Sequence, residues 1–358
     1  MSQTAIEAEV LVSRDSALGR LTINRPQALG ALTTGVCEGM IAALLAWLDD
    51  PTLHAVLIDH AGERGFSAGG DIRALADSAM GDGVAARRFF FVEYQLDHLI
   101  FSYPKPVITV MDGVTMGGGV GVSWTARYQV ATERTTFAMP ETGIGLFPDV
   151  GAGWFLPRLP GRTGLYLALT GARLKAADCL AVGLATHFVT AADLPALKEM
   201  LAADAEQPEQ VLATFAADPG PAPIGAVRHE IDRLFAHDRA EEVMAALTTD
   251  PSDWARAQAK TIATKSPTSL KVAARLLRDG AGVASFADDL VMEHRIANRL
   301  GLGRDFLEGV RAVIVDKDNA PRWDPPDLAG VTDAAIDAIF APLGPGREWS
   351  PIDQGTAA

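Results

Sequence analysis

Two carboxylates stand eight residues apart in an otherwise apolar stretch of the sequence, Phe137-Ala-Met-Pro-Glu-Thr-Gly-Ile-Gly-Leu-Phe-Pro-Asp149. The stretch contains no basic residue, so neither Glu141 nor Asp149 has a salt-bridge partner nearby in the sequence. Acidic side chains are rarely buried without a partner, and those that line a pocket often act as acids, bases or nucleophiles. The pattern predicts that Glu141 and Asp149 form part of a reaction centre. The alternative for each acid is a carboxylate that accepts hydrogen bonds from N–H groups at a helix start.

Two glycine-rich loops lie upstream of this stretch, each at a predicted strand-to-helix junction. They are Ala61–Asp71, which we expect to be too rich in glycine for regular structure, and Asp112–Gly121. Glycine lets a ligand approach bare backbone N–H groups, and two such groups that converge on one point form an oxyanion hole. We therefore predict that the N–H groups of Gly70 and Gly118 bind a substrate oxygen. The alternative is that these glycines only make tight turns or close helix contacts.

Short apolar runs alternate with helical patterns through the first part of the chain. Repeated strand–loop–helix units predict an α/β domain with parallel strand pairing. Beyond the proline-rich segment Pro219–Pro223, apolar residues recur at helical spacing. The sequence thus divides into an α/β core, residues 1–218, and a C-terminal helical region and tail, residues 224–358. Several prolines after residue 320 predict that the tail wraps loosely.

Composition limits the classes of partner and compartment. The chain has 358 residues and a formal charge of -14, which argues against binding to nucleic acid or to a membrane surface. Only Cys37 and Cys179 are present, without paired spacing, so a reducing compartment is expected. Residues 1–9 lack the pattern of a secretory signal, and no apolar run reaches the roughly 18 residues that cross a bilayer. A cytoplasmic location is therefore expected.

Motifs for nucleotides and metals are missing from the sequence. The run Gly117-Gly-Gly-Val-Gly121 does not fit G-x-G-x-x-G, and no G-K-[ST] follows a glycine loop. The seven histidines are scattered, with no H-E-x-x-H spacing. We expect neither a metal ion nor a bound cofactor.

One motif suggests a different reaction. The run Gly65-Phe-Ser-Ala-Gly69 fits G-x-S-x-G, the nucleophile elbow of serine α/β-hydrolases. The elbow needs a strand that runs directly into the serine, whereas the predicted strand here ends near Asp59. A chance match is therefore favoured over Ser67 as a nucleophile. The later histidines that could serve as its partners are His187, His229, His237 and His294.

Several motifs together resemble those of the enoyl-CoA hydratase/isomerase (crotonase) superfamily. They are Gly65-Phe-Ser-Ala-Gly-Gly-Asp71, Met116-Gly-Gly-Gly119 and Phe137-Ala-Met-Pro-Glu141, with Asn24-Arg-Pro26 near the start and Asp305-Phe-Leu-Glu-Gly-Val-Arg311 near the end. The longer run from Phe137 to Gly151, with Phe155-Leu-Pro-Arg158 and Ser266-Pro-Thr-Ser-Leu270, is similar to the thioester hydrolases of that superfamily. The resemblance covers most of the chain.

The resemblance implies a fold, a substrate class and a set of site residues. The fold would be an α/β, crotonase-like spiral of ββα units closed by C-terminal helices. The substrates would be acyl-CoA thioesters, with the thioester oxygen held by Gly70 and Gly118. Glu141 would be the catalytic carboxylate, Asp149 its partner, and Glu93 a substrate-contacting acid. The implied reaction is hydrolysis of a short-chain 3-hydroxyacyl-CoA, such as 3-hydroxyisobutyryl-CoA in valine catabolism, without a cofactor and possibly by a homo-oligomer.

Gly121 departs from the superfamily pattern. Hydratases of the superfamily carry a glutamate there, the second of the two acids that add water across a double bond. Because Gly121 has no side chain, it cannot be a general acid, and hydrolysis is favoured. Glu141 would act either as a nucleophile or as a general base on water. The alternatives are hydration or isomerisation of an enoyl-CoA, and acyl-CoA binding without turnover.

Overall fold

The computed structural model describes residues 8–353, in which two sheets are wrapped by helices. Within that range the strands are β1 (Val10–Asp15), β2 (Leu18–Ile23), β3 (Ala55–His60), β4 (Gly65–Ser67), β5 (Val107–Met111), β6 (Val114–Met116), β7 (Tyr128–Ala131), β8 (Thr136–Ala138) and β9 (His187–Phe188). The larger sheet has the order β1-β2-β3-β5-β7-β9, and the smaller sheet has the order β4-β6-β8.

The strands alternate between the two sheets. From β3 to β8 each strand of the larger sheet is followed by one of the smaller sheet, and among the strands of residues 8–353 only β1 and β2 pair in antiparallel fashion. Helices fill the connections that return the chain to the larger sheet. This is a spiral of ββα units, so the predicted α/β class with parallel pairing is confirmed.

Helices surround the sheets and build most of the C-terminal region. They are α1 (Thr34–Trp47), α2 (Ile72–Met80), α3 (Val84–Phe101), α4 (Gly118–Trp124), α5 (Ala152–Phe155), α6 (Thr163–Thr170), α7 (Ala176–Val182), α8 (Leu194–Ala203), α9 (Pro208–Phe215), α10 (Arg228–Leu234), α11 (Ala240–Thr249), α12 (Asp253–Ile262), α13 (Pro267–Gly280), α14 (Phe286–Leu300), α15 (Arg304–Val310) and α16 (Asp333–Phe340). A π-helix, Arg311–Val315, continues α15.

The helix α3 occupies the centre of the fold and packs against α1, α2 and α14. Its buried side chains are mainly apolar and aromatic, as expected for a helix enclosed on several sides. Two acids, Glu93 and Asp97, are buried among them one helical turn apart. Because acids are seldom buried without a partner, this part of α3 is a candidate for a functional site.

One sequence-based prediction of irregular structure is wrong, and a second holds for only part of the tail. The glycine loop Ala61–Asp71 contains β4, which pairs with β6 through Gly65 and Ser67. A strand of three residues is too short to produce a periodic signal, and its partner is distant in sequence. The tail is also better packed than its prolines suggest. Trp349 is 2% exposed and donates from Nε1 to the backbone oxygen of Phe91 at 3.1 Å, so this tryptophan holds its part of the tail against α3.

The C-terminal helices share one apolar core with the sheets, since buried side chains of α13 and α14 belong to the same cluster as those of β2 and β3. The division at residues 218 and 224 stays a prediction. Residues 1–7, which include most of the segment used to predict the lack of a secretory signal, lie outside the described residues, as do residues 354–358. No helix within residues 8–353 is both long and apolar enough to cross a bilayer.

Candidate active site

A cavity of about 710 Å³ contains the residues that the sequence singles out. Its lining includes Gly70, Gly118, Glu93, Glu141 and Asp149. The π-helix adds Val313 and Ile314 to the wall, so the C-terminal region also shapes the cavity. We call this space the acidic cavity.

The two glycine loops lie against each other at one end of the acidic cavity. A Cβ atom built on Gly69 would lie 3.2 Å from the nitrogen of Gly118. Gly118 is the first residue of α4, so its N–H has no acceptor within the helix. Across residues 8–353, neither this N–H nor that of Gly70 donates a hydrogen bond to another protein group. Both N–H groups are therefore available to a ligand oxygen.

Glu141 begins the 3-10 turn that follows β8. Glu141 is 4% exposed, and its Oε2 is buried with no hydrogen-bond partner in the described part of the chain. A Cβ atom on Gly117 would lie 3.3 Å from Oε1, so the carboxylate is beside the glycine loops. Burial and the charge of Asp149 raise the pKa of Glu141 well above its ordinary value, while its own backbone N–H and Lys265 lower it. Oε2 is thus left free to bind a substrate or water.

Asp149 is fixed by a tyrosine on α3. The hydroxyl of Tyr94 donates to Oδ2 of Asp149 at 2.8 Å, and both residues are buried. Burial raises the pKa of Asp149 to about 7, against the opposing effects of the Tyr94 hydrogen bond and its own backbone N–H. An acid with a pKa near 7 can exchange a proton at neutral pH, which suits a role in catalysis.

The helix α3 brings two further acids to the same place. Glu93 lines the acidic cavity, and a Cβ atom on Gly118 would lie only 2.1 Å from its Oε1. Asp97 is fully buried, and both of its carboxyl oxygens lack a hydrogen-bond partner within residues 8–353. Burial and the charge of Asp149 raise the pKa values of Glu93 and Asp97 well above normal. Acids this close cannot all be ionised, so some of them carry protons.

Gly121 has no room for a side chain. A Cβ atom there would lie 2.7 Å from Cβ of Val150 and 2.8 Å from each carboxyl oxygen of Asp97. These distances are shorter than real Cβ contacts, so a glutamate at position 121 would displace its neighbours. A second carboxylate beside Glu141 must therefore come from another position, and Asp149 lines the same cavity.

Lys265, just before α13, carries a positive charge that lowers the pKa of Glu141. It is half-buried, and a Cβ atom on Gly143 would lie 3.3 Å from its Nζ. Burial lowers the pKa of Lys265, and the negative charge of Glu141 opposes that shift. No carboxylate in residues 8–353 forms an ion pair with it. Its charge therefore favours the ionised form of Glu141.

Sequence reasoning missed Tyr94, Asp97 and Lys265. The sequence could have indicated Asp97, because it stands four residues after Glu93 in an apolar helical pattern and so lies on the same helix face. No such signal marks Tyr94 and Lys265, since their partners are distant in the sequence.

Ser67 is not placed as a nucleophile. Contrary to the sequence-based expectation, a strand does run directly into it, namely β4. Its side chain is nevertheless fully buried, and its Oγ accepts a hydrogen bond from the Gly69 N–H at 3.2 Å. Within the described part of the chain no histidine forms a hydrogen bond with it. Ser67 therefore does not act as the nucleophile that the G-x-S-x-G motif would imply, and it does not line the acidic cavity.

A ββα spiral with paired backbone donors facing buried acids is the architecture of crotonase-type enzymes. The family described as Enoyl-CoA hydratase/isomerase matches residues 18–340 of the chain. The chain belongs to this family.

Similar proteins carry two kinds of activity in their names. The chain is 43% identical over 352 residues to "3-hydroxyisobutyryl-CoA hydrolase, mitochondrial" of Xenopus laevis, covering 96% of this chain and 91% of that protein. It is 40% identical to the Homo sapiens protein of that name, covering 94% and 89%. A carnitinyl-CoA dehydratase structure from Mycobacterium thermoresistibile has a TM-score of 0.90 at 41% identity, covering 94% and 97%. An enoyl-CoA hydratase structure from Rhodobacter sphaeroides 2.4.1 has a TM-score of 0.87 at 37% identity, covering 96% and 99%.

Proposed function

We propose that this chain is an acyl-CoA thioester hydrolase that converts 3-hydroxyisobutyryl-CoA to 3-hydroxyisobutyrate and CoA. The observation that carries the proposal is the crowding at Gly121, which leaves no space for the second glutamate of a hydratase. Glu141 and Asp149 line the acidic cavity together with Gly70 and Gly118, the two backbone donors of the proposed acyl-transfer site. The relatives named for this hydrolysis, at 40% and 43% identity, support the same reaction.

The two glycine loops activate the substrate. The thioester oxygen accepts hydrogen bonds from the N–H groups of Gly70 and Gly118. These donors polarise the carbonyl and stabilise the oxyanion that forms when the carbon is attacked. Each donor of this kind stabilises the transition state by about 3 kcal/mol.

The attack on the carbonyl carbon requires Glu141. By one route its carboxylate attacks directly, CoA leaves as the thiolate, and water hydrolyses the resulting anhydride. By the other route Glu141 takes a proton from a water molecule that attacks the same carbon. Asp149 positions the water or the substrate hydroxyl in both routes. Because both routes use ionised Glu141, the charge of Lys265 assists either one.

Glu93 supplies selectivity for the hydroxyacyl group. Its Oε1 is buried at the cavity wall with no partner among the described residues, so it can accept a hydrogen bond from the substrate 3-hydroxyl. A substrate that lacks the hydroxyl leaves this acceptor unsatisfied, at a cost of about 1–3 kcal/mol. We therefore expect 3-hydroxyacyl-CoA esters to be cleaved faster than unsubstituted esters of the same length.

The test replaces each acid by its amide. Glu141→Gln and Asp149→Asn should each lower kcat by about two or more orders of magnitude with the fold intact by circular dichroism. Matched controls are Glu199→Gln and Asp204→Asn, which change exposed acids outside the acidic cavity. Near-normal turnover in both cavity variants would contradict the proposed function.

A second candidate is addition or removal of water at an enoyl-CoA double bond. The names of the two similar solved structures favour it. It requires Asp149 to replace the absent acid at position 121. Product analysis separates the two reactions, because only hydrolysis releases a free thiol.

The proposed chemistry needs no cofactor beyond the CoA of the substrate. The backbone donors, Glu141 and Asp149 provide each group that thioester hydrolysis uses. Activity that survives exhaustive dialysis against a chelator is the expected result. Activity that is lost and then restored by a divalent cation would contradict this proposal.

A homo-oligomer in the cytoplasm is the proposed state of the protein. Members of the superfamily often assemble as trimers, and light scattering measures the mass in solution. The location is proposed because Cys37 and Cys179 have no paired spacing, which fits a reducing compartment, whereas the curated relatives carry the word mitochondrial in their names. Fractionation of cells that express the native chain tests it.

A further inference from the structure

The residue after Asp149 has a backbone conformation that its type avoids. Val150 has a φ of 55°, in the left-handed region, and Gly151 follows with a φ of 92°. A β-branched residue rarely adopts this conformation, because its side chain crowds the adjacent backbone. Such strain persists only where surrounding contacts hold it, and it is concentrated at functional sites. The turn that carries Asp149 must therefore be held by another part of the molecule.

A buried acid on α14 makes the contacts that hold this turn. Oε2 of Glu293 accepts a hydrogen bond from the Gly151 N–H at 2.8 Å. Its Oε1 accepts one from the Gly153 N–H at 3.0 Å. Glu293 is 0% exposed and stands 140 residues further along the chain than Gly153. One carboxylate thus bridges two N–H groups just beyond Asp149.

Burying the carboxylate of Glu293 near other acids is electrostatically unfavourable. Burial raises the pKa of Glu293, and the charges of Asp289 and Asp149 add to that effect, while the N–H groups of Gly151 and Gly153 oppose it. If the position served packing alone, an apolar side chain would fill it without the cost of burying a carboxylate beside two other acids. The carboxylate is useful here because its two oxygens match two backbone donors.

We propose that Glu293 is a positioning residue for Asp149. By bridging Gly151 and Gly153 it keeps the turn at Val150 in the left-handed conformation that directs Asp149 into the acidic cavity. The C-terminal helical region thereby takes part in the reaction through the backbone, without contact with the substrate. This inference rests on the proposed function, in which Asp149 acts on the substrate or on the attacking water.

The test compares substitutions at Glu293 with a matched control elsewhere. Glu293→Gln keeps the shape and one acceptor oxygen, so it should fold while losing one of the two backbone contacts. Asp178 is a suitable control, because it is also buried and its oxygens accept from the backbone N–H groups of Ile224 and Lys175. Asp178→Asn should lower stability without changing kcat.

The expected result is a fall in kcat for Glu293→Gln of about tenfold to 10²-fold, with KM changed by less than about threefold. Glu293→Ala should be more severe if it folds. An unchanged kcat in folded Glu293→Gln, or an equal fall in Asp178→Asn, would overturn the positioning role. Asp149→Asn is measured in parallel. Normal turnover in Asp149→Asn would contradict the proposed function. Normal turnover in Glu293→Gln, with Asp149→Asn impaired, would contradict only the positioning role of Glu293.

Discussion

The hydroxyl of Tyr94 donates a hydrogen bond of 2.8 Å to Oδ2 of Asp149 inside the acidic cavity. The bond favours the ionised carboxylate and opposes the effect of burial, and the pKa of Asp149 that results is about 7. The same helix places Glu93 against Gly118 and Asp97 against Gly121. One turn of α3 therefore lies against both the acid-bearing and the donor-bearing loops.

Replacing Tyr94 by phenylalanine should move the acid limb of the kcat/KM profile to higher pH. The hydroxyl stabilises ionised Asp149, so its removal raises the pKa of Asp149 and leaves more of the enzyme protonated at pH 7. Activity should fall at neutral pH and recover at alkaline pH. Tyr103→Phe is the control, because it loses a buried hydrogen bond of 2.7 Å to the Leu44 backbone oxygen, away from the cavity. An unshifted acid limb in Tyr94→Phe would contradict this role.

Replacing Lys265 by methionine should also shift the acid limb upward. The positive charge lowers the pKa of Glu141, so its loss raises that pKa and reduces the ionised fraction at neutral pH. The expected change is a lower kcat/KM at pH 7, measured across the pH range. Lys260→Met removes an exposed lysine nearby and should leave the profile unchanged. Identical profiles for both variants would show that Lys265 has no influence on Glu141.

Adding a methyl group at Gly121 should destabilise the protein. Its Cβ atom would lie 2.7 Å from Val150 and 2.8 Å from the Asp97 oxygens, so Gly121→Ala should lower the free energy of unfolding by about 1–3 kcal/mol. Gly225→Ala, where no atom lies within 4 Å of the new Cβ, is the matched control. Urea denaturation measures both. Combination with Asp97→Ala should recover part of the loss, because the pair shares one space. Additive losses would contradict direct crowding.

Adding a methyl group at Gly118 should impair catalysis more than folding. The new Cβ would lie 2.1 Å from Oε1 of Glu93, so either that acid or the loop with the N–H donor must move. We expect Gly118→Ala to lower kcat by about 10²-fold to 10³-fold, the usual effect of losing one oxyanion donor. Gly282→Ala, whose nearest contact would be an ordinary 3.7 Å, should retain full activity. Normal turnover in Gly118→Ala would contradict the expected displacement of this N–H donor by the new methyl group.

The parts of the site that could be predicted have local signals. Glu141 and Asp149 stand out because an acid without a nearby base is unusual in an apolar stretch. Gly70 and Gly118 stand out because clustered glycines at strand-to-helix junctions expose backbone donors. The alternating strand and helix patterns likewise predicted the α/β class, since each element has its own periodicity.

The parts that could not be predicted depend on distant contacts. Tyr94 resembles any aromatic core residue until the fold brings Asp149 to its hydroxyl. Glu293 lies in a helix with several charged residues, and only the strained turn at Val150 reveals its use. The buried position of Trp349 likewise depends on α3. Such roles arise from packing between segments that are far apart in sequence.

The most direct test of the proposed function supplies 3-hydroxyisobutyryl-CoA and follows two signals in one sample. Hydrolysis releases the CoA thiol and forms no double bond, whereas dehydration forms a conjugated enoyl thioester and releases no thiol. We predict thiol release equal to the substrate consumed, no gain in enoyl absorbance, and loss of the thiol signal in Glu141→Gln. A gain in enoyl absorbance without thiol release would contradict the assignment as a hydrolase.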